Sequence, residues 1–196
     1  MVCNFKETSS VVYGTIRPMY RLRFLMIITK CLLSSSRDLL ENFSVSFLAL
    51  PFIDTDFLRL FTHSYSSYMA LCRWHFVFNS KLRDAALKKG WAPVTTSEVI
   101  SYKKSIKAFD RVVVKTKLLH WNNKRFYLVQ SFWVRGNLCA ECYVEGLLRS
   151  PSGILEPPAV FKNLGVFQNS PKATPQLLAV FPFLQNIESS KNQLIN

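Results

Sequence analysis

The stretch "DTDFLRLFTHSYSSYMALCRW" at 54 to 74 holds the residue types closest to chemistry in this chain. Two carboxylates stand one residue apart, followed by a short apolar loop, a histidine and a run with helical spacing. An acid just upstream of a buried helix has two uses. It can cap and solvate a turn, or it can be held ionised near the positive end of the helix dipole, where the same free amides stabilise a developing oxyanion. His63 would supply an imidazole, and Thr62 or Ser64 a hydroxyl that donates to a substrate. The competing reading makes His63 a partly exposed cap partner and Thr62 or Ser64 the cap itself.

A second group of candidates is cationic. Lys103, Lys104, Lys107, Lys115 and Lys117 with Arg111 make one side of the strand-rich region basic, suited either to a ligand phosphate or to a solvated face. His75 follows a buried helical stripe and reads as a core histidine bonded to backbone, while His120 beside Trp121 reads as packing. The five cysteines, an odd number, fit a reduced cytosolic protein better than a disulfide scaffold. The single C-x-x-C, "CAEC" at 139 to 142, lies in a strand-like run that would point its thiols to opposite faces. With no second pair or histidine at ligand spacing, no metal site is expected.

Elements must position these groups. With 196 residues, 49% hydrophobic and 14% aromatic, the chain has material for one packed core and is not disordered. Its charge of +13 attracts anions: nucleic acid, acidic membrane, or a phosphorylated ligand such as a coenzyme A ester. Nucleic acid is disfavoured, because the phenylalanine-rich runs alternate like core strands and no RNP, KH or zinc-finger signature is present.

Residues 1 to 19 show no period; a helix follows over 20 to 34, and "FSVSFLAL" at 43 to 50 alternates as a strand. From Ser64, Tyr65, Tyr68, Met69, Cys72 and Phe76 form one helical stripe, with Leu71, Trp74 and Phe78 covering much of the rest, so this helix must be wrapped. A short helix over 80 to 90 stops at Gly90. Strand-like runs at 95–106, 111–121, 124–135 and 138–149 follow, with two-residue turns expected at 122–123 and 136–137, and then a polar, weakly helical tail over 172–194. One buried helix against a curved antiparallel sheet is an α+β domain over 41–166, flanked by an extension over 1–40 and a tail over 167–196. The apolar run within 20–33 is broken by Lys30 and shorter than the roughly 20 residues a simple spanning helix needs. Residues 20–37, free of acids, suit a surface-lying amphipathic helix in peripheral membrane contact, a targeting leader, or a helix packed on the domain.

This element order, with "DTD", "YMALCRW", "LKKGWAPV", "YKKSIKAFD", "VKTKLLHW", "RFYLVQSFWVRG" and "LEPPAVFKNLG" in sequence, resembles the hotdog fold over about residues 20–166. More narrowly it is similar to the acyl-CoA thioesterase-like branch related to 4-hydroxybenzoyl-CoA thioesterases. The resemblance implies hydrolysis of an acyl-CoA thioester to free CoA and a carboxylic acid without a further cofactor, in a homodimer or higher oligomer with sites at the seam. It implies that Asp56 acts as base or nucleophile, and leaves Asp54 as a cap or surface charge. Lys103, Lys104 and Lys115 become candidates for the CoA phosphates. The branch pattern D-x-D-x-x-x-H-x-N-N is altered: its histidine falls on Leu60, or with a gap on Arg59, and its asparagines on Thr62 and His63. The altered loop makes an inactive hotdog protein that binds an acyl ligand or a protein partner the alternative reading.

Overall fold

The computed structural model describes residues 9–56, 58–165, 169–182 and 184, with side chains from Pro18 onward. Part of the segment without a period, residues 1–8, and the end of the expected tail, 185–194, lie outside them. Helix α1 (Ser9–Leu32) starts well before residue 20 and carries Pro18 within it. It is followed by β1 (Phe43–Leu48), α2 (Thr62–Phe78), α3 (Arg83–Lys89), β2 (Ala92–Tyr102), β3 (Arg111–Trp121), β4 (Phe126–Val134), β5 (Asn137–Ser150), β6 (Gly153–Leu155), α4 (Pro157–Asn163) and α5 (Pro175–Val180).

The strands form one antiparallel sheet in the order β1-β3-β4-β5-β2, with β6 added to β5. The four strand-like runs are therefore not a simple meander: β2 pairs with β5, and β1 closes the opposite flank on β3. The turns also differ from expectation. Arg135 and Gly136, with φ of 49° and 79°, form the tight β4–β5 turn one residue earlier than "GN". The β3–β4 link spans four residues, because Asn122 accepts bonds from the amides of Lys124 and Arg125. At the bulge opposite Phe132 and Trp133, β5 carries an extra residue, and both Cys139 and Cys142 end up buried as free thiols.

The period of two puts Val112, Val114 and Leu118 of β3, Leu128 and Phe132 of β4, and Ala140, Cys142 and Val144 of β5 in one core with Tyr68, Met69, Cys72 and Phe76 of α2. Each large side chain so buried contributes about 1.5–3 kcal/mol. The other flank of α2 is covered by α1, where the Phe24 ring meets Trp74 edge-on at 5.6 Å and Trp74 stacks on Phe78 at 5.5 Å. Sheet and α1 together wrap the helix. On the sheet's outer face Leu177, Phe181 and Leu184 close over Tyr127, so the tail docks by apolar residues instead of trailing as a polar segment. His120 there is more than packing: its Nδ1 lies 2.8 Å from the Pro171 carbonyl and 2.9 Å from Ser170 Oγ.

One polar network crosses the core. Gln130 Nε2 donates to the Met69 carbonyl and to Thr116 Oγ1, both at 3.1 Å, while its Oε1 accepts from Arg73 at 3.0 Å. Arg73 also pairs with Glu98 at 2.7 Å. Replacing the fully buried Gln130 by leucine strips partners from a guanidinium, a hydroxyl and a helix carbonyl at once. A loss of about 2–3 kcal/mol is expected, read as a lower urea midpoint at unchanged slope.

His75 is held by Asn79, 3.4 Å from its Nε2, and not by backbone; its buried Nδ1 has no partner. Burial, then the charges of Lys30 and Arg37, depress it to about 4 from 6.5. The unfolded chain therefore takes up a proton that the fold refuses, and stability binds to that difference. The contribution is whole above 6.5 and is lost as pH falls toward 4. Thermal midpoints should drop across this window, and the His75→Phe variant should drop less steeply.

Candidate active site

After β1 the chain turns back on itself before entering α2, and Asp54 holds that turn. It is 4% exposed, its Oδ1 and Oδ2 each accept from Arg23 at 2.7 Å, and Oδ2 also accepts from the Leu50 amide at 2.8 Å. Its carbonyl accepts from the Phe61 amide and from Ser64 Oγ, both at 2.9 Å. Asp54 is thus neither a helix cap nor a surface charge but the buried clamp that ties α1, the loop and the start of α2 together. The same bond corrects the role expected of Ser64, whose buried hydroxyl is spent on the Asp54 carbonyl.

Helix α2 opens from Phe61 in extended backbone with no side-chain cap, so neither Thr62 nor Ser64 serves as one. The amides of Ser64 and Tyr65 reach the Phe61 carbonyl at 3.0 and 3.4 Å. Those of Thr62 and His63 stand at the positive end of the helix with no backbone acceptor inside it.

Asp56 is exposed in the turn before α2. Its Oδ1 accepts from the amides of Leu58, at 2.7 Å, and Arg59. These two bonds hold its carboxyl below the usual 3.8, so it is ionised throughout the neutral range. His63 is also exposed and stacks on the Phe61 ring at 5.0 Å. Asp56, Thr62 and His63 are thus all exposed around the turn and the start of α2, and of the three only Thr62 lines the neighbouring cavity.

Beside that region lies a cavity of about 410 Å³, walled by Arg59, Leu60, Thr62, Tyr65, Tyr102, Lys103, Lys104, Ser105 and Ile106. Its volume is within the range of small-molecule sites. The buried side chains of Leu60, Tyr65 and Ile106 belong to its wall, and exposed Arg59, Lys103 and Lys104 make it cationic. The β2–β3 link is pinned there because the Lys103 and Lys104 amides donate to the Cys139 carbonyl at 2.8 and 3.0 Å. The Leu60 amide donates to the Ile106 carbonyl at 2.8 Å, stitching loop to link. Tyr65 meets Tyr102 edge-on at 5.0 Å. Burial pushes the Tyr65 hydroxyl up to about 12, which keeps it a neutral donor.

Of the three lysines expected at a phosphate, Lys103 and Lys104 share this cavity. Lys115 does not, since it lies over the Trp133 ring at 4.6 Å on β3. Arg59, Tyr65 and Tyr102 were missed as wall residues. "YKKS" carried the only local signal, because aromatic and cation meet there, whereas Tyr65 sits in a stripe that looks entirely like core. A separate apolar cavity of about 40 Å³ lies near the far end of α2, among Phe76, Val77, Leu118, Leu128 and Val144, and shares no wall residue with the first. Among the described residues no cluster of His, Cys, Asp and Glu could hold a metal ion.

A family model of the thioesterase-like superfamily matches residues 51–151, from the turn before α2 to the end of β5. The chain belongs to the thioesterase-like superfamily. Protein THEM6 of Xenopus laevis is 27% identical over 125 residues, covering 63% of this chain. This chain spans 60% of the length of that curated relative. Among solved structures, the hypothetical protein SAV2348 from Staphylococcus aureus, in complex with CoA, superposes with a TM-score of 0.56 at 17% identity, over 74% of this chain and 96% of that one. A mutant 4-hydroxybenzoyl CoA thioesterase complexed with 4-hydroxybenzoyl CoA gives 0.54 at 14% identity, over 63% and 97%. The probable thioesterase YbaW from Escherichia coli gives 0.54 at 15% identity, over 63% and 94%. At these identities the superpositions establish the hotdog fold, a curled antiparallel sheet around a central helix, as the fold of this superfamily member.

Proposed function

We propose that this protein hydrolyses an acyl-CoA thioester to CoA and a carboxylic acid. The observation that carries the reading is the cationic 410 Å³ cavity set against the open amides of α2 in a chain of this superfamily. Arg59, Lys103 and Lys104 take the phosphates, and the thioester carbonyl lies at the amides of Thr62 and His63 with Tyr65 as a further donor. Asp56 either draws a proton from the attacking water or attacks the carbonyl itself, after which water resolves the acyl enzyme. In both routes the C–S bond breaks, the thiolate leaves with a proton, and the oxygen of water ends in the carboxylate. All the groups used are the chain's own, so no cofactor takes part.

The wall of Leu60, Tyr65 and Ile106 favours a short or aromatic acyl group, because the 40 Å³ cavity beyond is too small for an alkyl chain unless side chains move. The exposure of Asp56 suits a seam residue. The outer edge of β2 has no strand partner among the described residues, and exposed Val94, Val99 and Tyr102 lie on that strand. A homodimer closed along this edge would cover Val94, Val99 and Tyr102, the last of them a wall residue of the cavity.

The test is a panel of acyl-CoA esters, from acetyl to palmitoyl and including benzoyl, with released thiol titrated and mass in solution measured in parallel. Thiol release greatest for short or aromatic esters is expected. Tight binding of an ester without thiol release would replace the hydrolase by an acyl-CoA binder, and no binding at all would end the proposal.

A further inference from the structure

Helix α1 is apolar on two opposite faces. Its inner face, Phe24, Ile27 and Cys31, is packed on the domain. Its outer face bears Leu22, Leu25, Met26 and Leu32, with Leu33 just beyond the helix end, each 50–86% exposed. At about 100° per residue these fall on one stripe, and the exposed Arg21 and Lys30 fall on its two borders.

The helix cannot turn to hide this stripe. Arg23 is spent on Asp54 with two bonds of 2.7 Å, and Ile27 and Cys31 are inside the core. Arg83 Nη1 donates to the carbonyls of Cys31 and Ser34 at 3.0 and 2.7 Å, which fastens the C-terminal end. No described helix is long and apolar enough to cross a membrane.

From these observations we infer that the outer face of α1 is a docking surface for a lipid bilayer carrying anionic headgroups, with the helix lying in the interface plane. A stripe of long aliphatic side chains bordered on both sides by cations matches the apolar-below, anionic-level profile of such a surface. No acidic residue occurs from Thr8 to Arg37 to oppose it, and the chain's net charge of +13 adds attraction at longer range. The face is one convex helix without a groove, which suits a fluid layer that closes around side chains. Docking would hold the domain at the membrane whatever ester it acts on, and so stands independently of the catalytic reading.

The experiment is flotation of the full chain with phosphatidylcholine vesicles, with and without phosphatidylserine, beside the Leu25→Ser/Met26→Ser and Arg21→Glu/Lys30→Glu variants. All four positions are exposed, so folding should persist; far-UV circular dichroism and the thermal midpoint check this. Wild type is expected to float with the anionic vesicles and to be released by salt, with partitioning at least about tenfold weaker in either variant. Equal flotation of wild type and variants would overturn the proposal, as would equal flotation with neutral and anionic vesicles. A wild-type dimer that Leu25→Ser/Met26→Ser converts to monomers, without flotation, would also overturn it and make the stripe a contact between copies of the chain.

Discussion

Exchanging Asp56 for asparagine is expected to slow thiol release from an acyl-CoA ester by about 10²–10⁴-fold while leaving ester binding nearly unchanged. Asparagine keeps the shape and can still accept bonds from the Leu58 and Arg59 amides, so the turn should hold. What it loses is the negative charge and the basic lone pair, which matter only as the carbonyl is attacked. The loss should therefore appear in kcat and not in KM. A pH profile sharpens the test. Because those two amides lower the carboxyl from 3.8, the group is ionised throughout the neutral range, and the acid limb of the rate should lie below that value. A limb near neutrality would transfer the role of base to an imidazole. An Asp56→Asn protein that releases thiol at the wild-type rate would remove Asp56 from the mechanism without touching the cavity.

Replacing Arg23 by methionine is expected to destabilise the fold by about 3–5 kcal/mol, because it leaves Asp54 buried without its cation. Both side chains are shielded, at 14% and 6% exposure, and Arg23 also lies over the Tyr68 ring at 5.2 Å, so the pair cannot be replaced cheaply by water. Denaturant unfolding measures the cost. Adding Asp54→Asn to the same chain removes the stranded charge while keeping an acceptor for the Leu50 amide, and should recover a large share of the loss. If the single variant matches wild type, the clamp is not structural. The same change bears on the site: Asp54 supplies the carbonyl that receives the Phe61 amide and Ser64 Oγ, so a loosened clamp should also blur the position of the α2 amides. Any residual thiol release in the folded fraction should fall with it.

The sequence by itself determined the α+β class, the wrapped helix and most of the strands. The reason is that burial repeats locally: period two in "RVVVKTKLLHW" and near-complete apolarity in "YSSYMALCRW" each leave one way to hide carbon from water. The order of the strands did not follow, since β2 and β3 look alike along the chain and only the closing of the sheet sends β2 to β5 and β1 to β3. Hairpin positions shifted by a residue or more for a related reason, with the Asn122 side chain and the left-handed Arg135–Gly136 pair settling what dipeptide rules left open.

At the site, the "DTD" pair and "YKKS" were visible as reactive and cationic types. Which acid is buried was not visible, because Asp54 is enclosed by an arginine 31 residues earlier, a partnership that exists only once α1 has docked. Lys115 looked equivalent to Lys103 and Lys104 until the sheet turned it onto Trp133. Tyr65 looked like core until the β2–β3 link left a cavity beside it. Local pattern governs what each segment must bury. Long-range packing alone decides which of several identical charges meet a partner, face a cavity or remain in water, because that choice depends on distances between segments that the chain order does not encode.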